Sequence, residues 1–155
     1  CEDARDVWIN GVAEACKNAK IDFFISKHPR DFGRYEEFKV INSNAFKIED
    51  QINMSSVLIT RFSQVLYEAL LRGRPVVYYN PHGEIKKDLT EDKTGAFLYA
   101  TDPEELTDCL YKAIEFNDDL KQLIQDFLVL HCGPRDNKSS ERCLQGLAAV
   151  ATQQI

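Results

Sequence analysis

The sequence predicts a three-layer α/β domain, a parallel sheet of about five to six strands with helices on both faces. Three observations predict it. Short apolar runs rich in β-branched and aromatic residues alternate with stretches of helical periodicity, in the order αβ-β-αβ-αβ-β-ααα. Runs such as IDFFIS at 21–26 and VVYY at 76–79 are apolar at every position, as a strand covered on both faces must be. Residues 57–80, VLIT-RFSQVLYEALLRG-RPVVYYN, hold a strand, a polar turn, a helix and a second strand, which is one right-handed crossover unit.

The elements follow in order. Residues 3–19 form a first helix, with Val7, Val12, Ala15 and Cys16 at helical spacing and Lys17 and Lys20 at the end where cations are favoured. The run 21–26 is a strand that ends at Lys27-His28-Pro29-Arg30, and the residue before a proline is held extended. A polar loop over 31–37 leads to a short strand, 38–41, then a turn at 43–47 and a short helix at 48–55 with Ile52 inward. Val57 to Thr60 is the next strand. The helix after it turns Val65, Leu66, Ala69 and Leu70 to one face and stops at Gly73, before strand 76–79. Residues 81–94 are polar and irregular, with room for one helical turn, and precede strand 95–100. Asp102-Pro103-Glu104-Glu105 is a helix start with an Asp cap, Pro in the first turn and a capping-box Glu. That helix runs to about residue 116 with Leu106, Leu110, Ala113 and Ile114 inward. Asn117-Asp118 restarts a helix to about residue 130, 131–138 is a loop, and 139–152 is a last helix with Leu144, Leu147, Ala148 and Ala151 on one face as core.

At 155 residues the chain is one domain, and 44% hydrophobic with 28% charged residues gives it a real core. A net charge of -6 argues against a partner such as duplex nucleic acid, although short basic patches occur at 27–34 and at Arg61, Arg72 and Arg74. The five cysteines, Cys1, Cys16, Cys109, Cys132 and Cys143, include no C-x-x-C pair and no His set that completes a zinc site. No metal and no cofactor is therefore expected, and reduced thiols in a cytoplasmic protein are the plain reading. No apolar run reaches the ~18 residues of a membrane span, and there is no signal peptide. The chain starts at Cys1 with Met54 its single methionine, so it is expected to be a piece of a larger protein.

In parallel sheets ligands bind beyond the carboxyl ends of the strands. His28, Thr60 to Ser63, and Asn80 to Gly83 all follow such ends and are expected to converge on one edge. There is no G-x-G-x-x-G after a strand and no G-x-x-x-x-G-K-[ST], so the dinucleotide and P-loop fingerprints are absent.

Three stretches carry a resemblance: FISKHPRD at 24–31, VLITRFSQVLYEALLRGRPVVYYN at 57–80, and Cys132-Gly133-Pro134-Arg135-Asp136 with Ser139-Ser140-Glu141-Arg142. Together they resemble the C-terminal, donor-binding half of a two-domain glycosyltransferase of the GT-B type. The likeness is to CDP-glycerol glycerophosphotransferases and capsular polysaccharide synthesis transferases. Asn137 stands where that family usually has Gly, so the third stretch matches more loosely. The resemblance implies a nucleotide-diphosphate donor held between two Rossmann-like halves, with the acceptor half outside this chain and no metal required. It implies a transferase in surface polysaccharide synthesis, at the inner membrane face when whole, and an isolated chain that does not turn over. Protein dipoles and cations would stabilise the leaving diphosphate.

The residues then take roles, each beside a plainer one. Ser63, with the N–H groups of Ser63 and Gln64, would hold a donor phosphate; otherwise Ser63 is only a helix cap. Arg61 would neutralise the leaving diphosphate, or be a solvated surface cation. Glu68 would accept from ribose hydroxyls. It lies in an apolar stretch, where a Glu is rarely unpaired, and its plain role is a solvated helix charge. His28 would contact donor phosphate or act as general acid, or be a loop histidine. His82 would reach base or ribose. Thr60 is a strand-end residue, and His131, Arg135, Asp136 and Arg142 shape the packing of the last helix through an ion pair. Two other functions fit the same pattern: a nucleotide-sugar 2-epimerase, and an interaction domain that keeps the fold without the donor.

Overall fold

A computed structural model describes residues 2–28, 30–42, 45–61, 63–85, 94–134 and 136–152. Among them are six helices, α1 (Glu2–Ala19), α2 (Ile48–Met54), α3 (Val65–Leu71), α4 (Pro103–Glu115), α5 (Asp118–Cys132) and α6 (Ser139–Thr152). Five strands alternate with them: β1 (Ile25–Lys27), β2 (Val40–Asn42), β3 (Leu58–Thr60), β4 (Val76–Tyr79) and β5 (Leu98–Ala100).

The class is α/β and every described strand pair is parallel, but the described strands do not join in the single sheet of about five to six that was expected. The described strands divide into a two-stranded sheet, β1-β2, and a three-stranded sheet, β3-β4-β5. The expected strands at 21–26, 38–41 and 95–100 shorten to three residues each and shift toward their carboxyl ends. The aromatic residues left out of them are used in packing instead. Phe23 and Phe38 meet ring to ring at 5.8 Å. Phe97 packs edge-on against Phe127 at 5.6 Å.

Strand β4 is the centre, with all four residues buried. Leu58, Ile59 and Thr60 of β3 stand opposite Val76, Val77 and Tyr78, and Leu98, Tyr99 and Ala100 of β5 opposite Val77, Tyr78 and Tyr79. Alternation sends β4 side chains to opposite faces. Val76 and Tyr78 join Ile52 of α2, Leu66, Ala69 and Leu70 of α3, and Leu120, Ile124, Phe127 and Leu128 of α5. Val77 and Tyr79 join Val12, Ala15 and Cys16 of α1 and Leu106, Cys109, Leu110 and Ala113 of α4. Each large side chain so buried contributes about 1.5–3 kcal/mol. Helices therefore cover both faces of the three-stranded sheet.

The helix starts are those written in the sequence, with one change. Asp102 accepts from the Glu105 N–H at 2.9 Å, but Glu105 reaches back one residue further than expected, to the N–H and hydroxyl of Thr101 at 2.8 and 2.7 Å. Asn117 caps α5 through the Leu120 N–H at 2.9 Å. Val7 and Ile114, expected inward, are 52% and 50% exposed, because Trp8, Ile9 and Val12 turn α1 inward and α4 packs through Leu106, Cys109, Leu110 and Ala113. Leu144 and Leu147 of α6, expected as core, are 66% and 65% exposed. The last helix extends past the clusters built on β4 and buries no apolar face among the described residues.

Candidate functional site

The carboxyl ends of β3 and β4 meet. Arg61 leaves β3 directly after the buried Thr60, and its Nε donates to Glu84 Oε2 at 3.0 Å while Nη2 donates to Glu84 Oε1. This is a fork on a carboxylate, the geometry guanidinium favours. The Glu84 hydrogen bond raises the Arg61 pKa further above its ordinary value against a smaller opposing effect of burial.

Glu84 is placed by Asn80, the first residue after β4. The Asn80 N–H donates to Ala100 O at 2.8 Å, holding it to the end of β5. Its side chain accepts from the Glu84 N–H at 2.9 Å, and Nδ2 donates to Glu84 O at 2.9 Å and to Tyr99 Oη at 3.3 Å. The chain turns back between them at Gly83, whose φ of +64° is the left-handed region that glycine enters without strain.

The first turns of α1 tie in the remaining loops. Trp8 Nε1 donates to Tyr79 O at 2.9 Å, and His82 Nε2 lies 2.8 Å from Ala4 O. Arg5 Nη2 stands 3.6 Å from Asp31 Oδ1 in the loop after β1. Asp31 also accepts from the Gly33 N–H at 2.8 Å and from the Tyr35 hydroxyl, and Lys27 Nζ donates to Gly33 O at 2.8 Å. The loops after β1, β3 and β4 are thus joined through α1 and the Arg61–Glu84 pair.

The expected site residues differ in what holds them. Ser63 is exposed, and its hydroxyl accepts from the Val65 N–H at 3.3 Å, so it caps the turn into α3. The helix begins after Gln64, whose side chain makes no cap bond. Glu68 does not face the apolar side of α3; it is exposed, because Leu66, Ala69 and Leu70 take the buried face. His28 is exposed and its Nδ1 accepts from the Arg30 N–H at 3.1 Å, a bond within its own turn. His82 faces α1. Arg72 and Arg74 do not join Arg61: Arg72 lies 3.5 Å from Glu49 and Arg74 donates to Asn53 O at 3.1 Å, both on α2. Asp136 and Arg142 form the expected ion pair at 2.8 Å, while the His131 ring packs tilted against Phe127 with ring centroids 4.3 Å apart. Pro29, Arg135, Cys1 and the helical turn expected within 81–94 fall wholly or largely outside the described residues. Cys16 and Cys109 are buried free thiols, and Cys132 and Cys143 are exposed ones. No group of three or more His, Cys, Asp or Glu suited to a metal ion occurs among the described residues. No helix among them is long and apolar enough to cross a membrane.

Sequence reasoning missed Trp8 and Glu84. Glu84 left a faint signal, a carboxylate directly after an Asn-Pro-His-Gly turn at a strand end. A separate cleft of about 290 Å³ lies between α1 and the loop before β2, lined by Asp6, Asn10, Arg34, Glu36 and Glu37 with Ile9, Tyr35 and Phe38. It contains none of the expected donor residues, and its carboxylates, Asp6, Glu36 and Glu37, outnumber its single guanidinium, Arg34, which disfavours a diphosphate there.

Neither a curated protein nor a solved structure matches the chain. The CDP-Glycerol:Poly(glycerophosphate) glycerophosphotransferase family matches residues 14–148. That span takes in every strand, the Arg61–Glu84 pair and all six expected donor residues, His28, Arg61, Ser63, Gln64, Glu68 and His82. With nearly the whole length matched, the chain belongs to the CDP-Glycerol:Poly(glycerophosphate) glycerophosphotransferase family.

Proposed function

We propose that this chain is the donor-binding half of a glycosyl- or glycerophosphotransferase, built like the C-terminal half of a GT-B enzyme and acting in surface polymer synthesis. The donor is a nucleotide diphosphate carrying a polyol or sugar, with a CDP-polyol the first choice because the family is described by CDP-glycerol. The observation that carries the reading is the meeting of the β3 and β4 carboxyl ends at Arg61 and Glu84. Ligands of parallel α/β sheets bind at such edges.

In this reading Arg61 neutralises charge on the departing diphosphate, and His28 contacts the same group. The Ser63 hydroxyl and the N–H groups of Ser63 and Gln64 hold a phosphate oxygen, while Glu68 accepts from the ribose hydroxyls. The Glu68 carboxylate is exposed and makes no hydrogen bond or ion pair among the described residues that it would have to give up. His82 borders the nucleoside. The acceptor comes from a part of the protein outside this chain, so the isolated chain binds donor without turning it over.

Isothermal titration of the chain with CDP, CDP-glycerol, UDP and GDP tests the reading. Saturable binding of a cytidine diphosphate below millimolar concentration is expected. Failure of every nucleotide to bind in that range sinks it.

A further inference from the structure

The guanidinium offered to the donor is already held by a carboxylate. Glu84 accepts from both Nε and Nη2 of Arg61. The main chain of Glu84 is fixed by two reciprocal bonds to Asn80, each 2.9 Å, and Asn80 is itself 2% exposed. The sheet therefore delivers this carboxylate to Arg61. A diphosphate and Glu84 ask for the same face of the same fork.

A second observation comes from the central strand. The hydroxyl of Tyr78 is buried with no hydrogen-bond partner among the described residues. Tyr78 lies between Thr60, which precedes Arg61, and Tyr99, whose ring is 5.5 Å away and whose hydroxyl Asn80 contacts. Burial first and then the Glu84 carboxylate push the Tyr78 phenol above its ordinary pKa, and the Arg61 guanidinium opposes them. A buried hydroxyl without a partner costs stability, so a neighbouring arrangement that satisfies it is favoured.

Resting on the donor-site reading above, we propose that Glu84 is a built-in competitor for the donor diphosphate at Arg61, and that the Tyr78 hydroxyl receives the Glu84 carboxylate when phosphate displaces it. The exchange breaks one fork, makes another and satisfies one orphan donor. It sets a threshold for entry, because a ligand must bring a phosphate able to fork on the guanidinium in place of a carboxylate. A nucleoside without phosphate meets the closed pair.

Magnitudes give the sign. Loss of Glu84 removes one restraint on the Arg61 side chain, and ordering it again on binding costs a factor of roughly two to ten. Removing a like charge at about 5 Å from a diphosphate gains about two orders of magnitude at an effective dielectric near 20, less with partial solvent screening. The net is tighter binding.

The test is titration of CDP into wild type, E84A, E84Q, Y78F and Y78F/E84A at one salt concentration. Glu84→Ala and Glu84→Gln are expected to bind CDP about tenfold tighter. Tyr78→Phe is expected to bind about threefold weaker than wild type, and that loss vanishes in the E84A background. The Asn80 bonds are to the Glu84 main chain, so the turn survives both substitutions, and near-isosteric E84Q answers if E84A folds poorly. CDP binding that E84A and E84Q leave unchanged or weaken overturns the proposal while the donor reading stands. So does a Y78F loss that persists without Glu84. Absence of CDP binding in all five proteins overturns both.

Discussion

The indole Nε1 of Trp8 donates to the main-chain carbonyl of Tyr79 at 2.9 Å, and the two rings pack with centroids 5.9 Å apart. One residue of α1 thus satisfies the last carbonyl of the central strand, where the turn to Glu84 begins. The approach is close because Gly11, one turn on from Trp8, has no side chain. A Cβ there would lie 2.2 Å from Tyr79 Oη and 2.9 Å from Cζ.

Gly11→Ala is therefore expected to destabilise the fold despite its better helix propensity. The propensity gain is about 1 kcal/mol, while overpacking a closed core costs about 1–3 kcal/mol, and Tyr79 is only 1% exposed and cannot yield. Urea unfolding of G11A, Y79F and the double variant checks the cause. Tyr79→Phe removes the closest atom, so most of the G11A loss should disappear in its background. A loss of equal size in both backgrounds would mean that the clash is not with Tyr79.

Asn80→Ala should loosen the turn that carries Glu84. It leaves the Glu84 N–H and carbonyl without their partners in a half-buried turn, at a cost of about 1–3 kcal/mol. For a chain of this size that is a fall in Tm of about 2–4 °C per kcal/mol. Hydrogen exchange gives the local readout, since the Glu84 amide should exchange far faster while amides of α5 follow only the global change. Uniform acceleration throughout the domain would argue against a local role for Asn80.

What the sequence made legible follows from where the information lies. The β3–α3–β4 unit was readable because its signals are local: an apolar run, a polar turn, helical spacing at Leu66, Ala69 and Leu70, and Gly73 at a φ of +68°. The caps at Asp102 and Asn117 were readable for the same reason. Strand lengths were not, because a run such as IDFFIS cannot distinguish backbone pairing from aromatic packing, and Phe23 chose Phe38. The apolar neighbours of Glu68 left its face open between a paired carboxylate and a solvated charge, and the structure turns it outward. The Arg61–Glu84 pair joins residues 23 apart in sequence, and periodicity carries no information at that range. Nor could composition show that Leu144 and Leu147 repeat correctly on α6 yet stay 66% and 65% exposed.

Ser63→Ala and Glu68→Ala separate donor binding from fold. Ser63 makes one long bond of 3.3 Å to the Val65 N–H and is exposed, so its loss should cost under about 1 kcal/mol of stability. Glu68 in the first turn of α3 adds at most a few tenths to about 1 kcal/mol through the helix dipole. Each substitution should nevertheless weaken CDP binding by about tenfold, the size of a lost hydrogen bond to a charged group. Titration beside thermal unfolding decides it. A shifted Tm with unchanged affinity would leave Ser63 a cap and Glu68 a surface charge.

The acid limb of the stability profile should depend on Asp31. Burial pushes its carboxyl up, but the Tyr35 hydroxyl, the Gly33 N–H and the nearby Arg5 and Lys27 outweigh that and hold the pKa below the ordinary 3.8. Burial and then Asp31 push the Tyr35 phenol up to about 12, so it remains a donor through the acid and neutral range. A carboxyl whose pKa falls on folding contributes stability that is complete above its unfolded value and is lost as pH drops through its folded value. Tyr35→Phe removes the hydroxyl bond and returns Asp31 toward 3.8. Wild type should therefore exceed Y35F by a constant margin above about pH 5, and the margin should shrink as pH falls below about 4. Urea unfolding of both proteins across that range measures it. A margin independent of pH would assign the Y35F loss to ring packing, and a margin that grows in acid would reverse the sign derived from the Asp31 pairing.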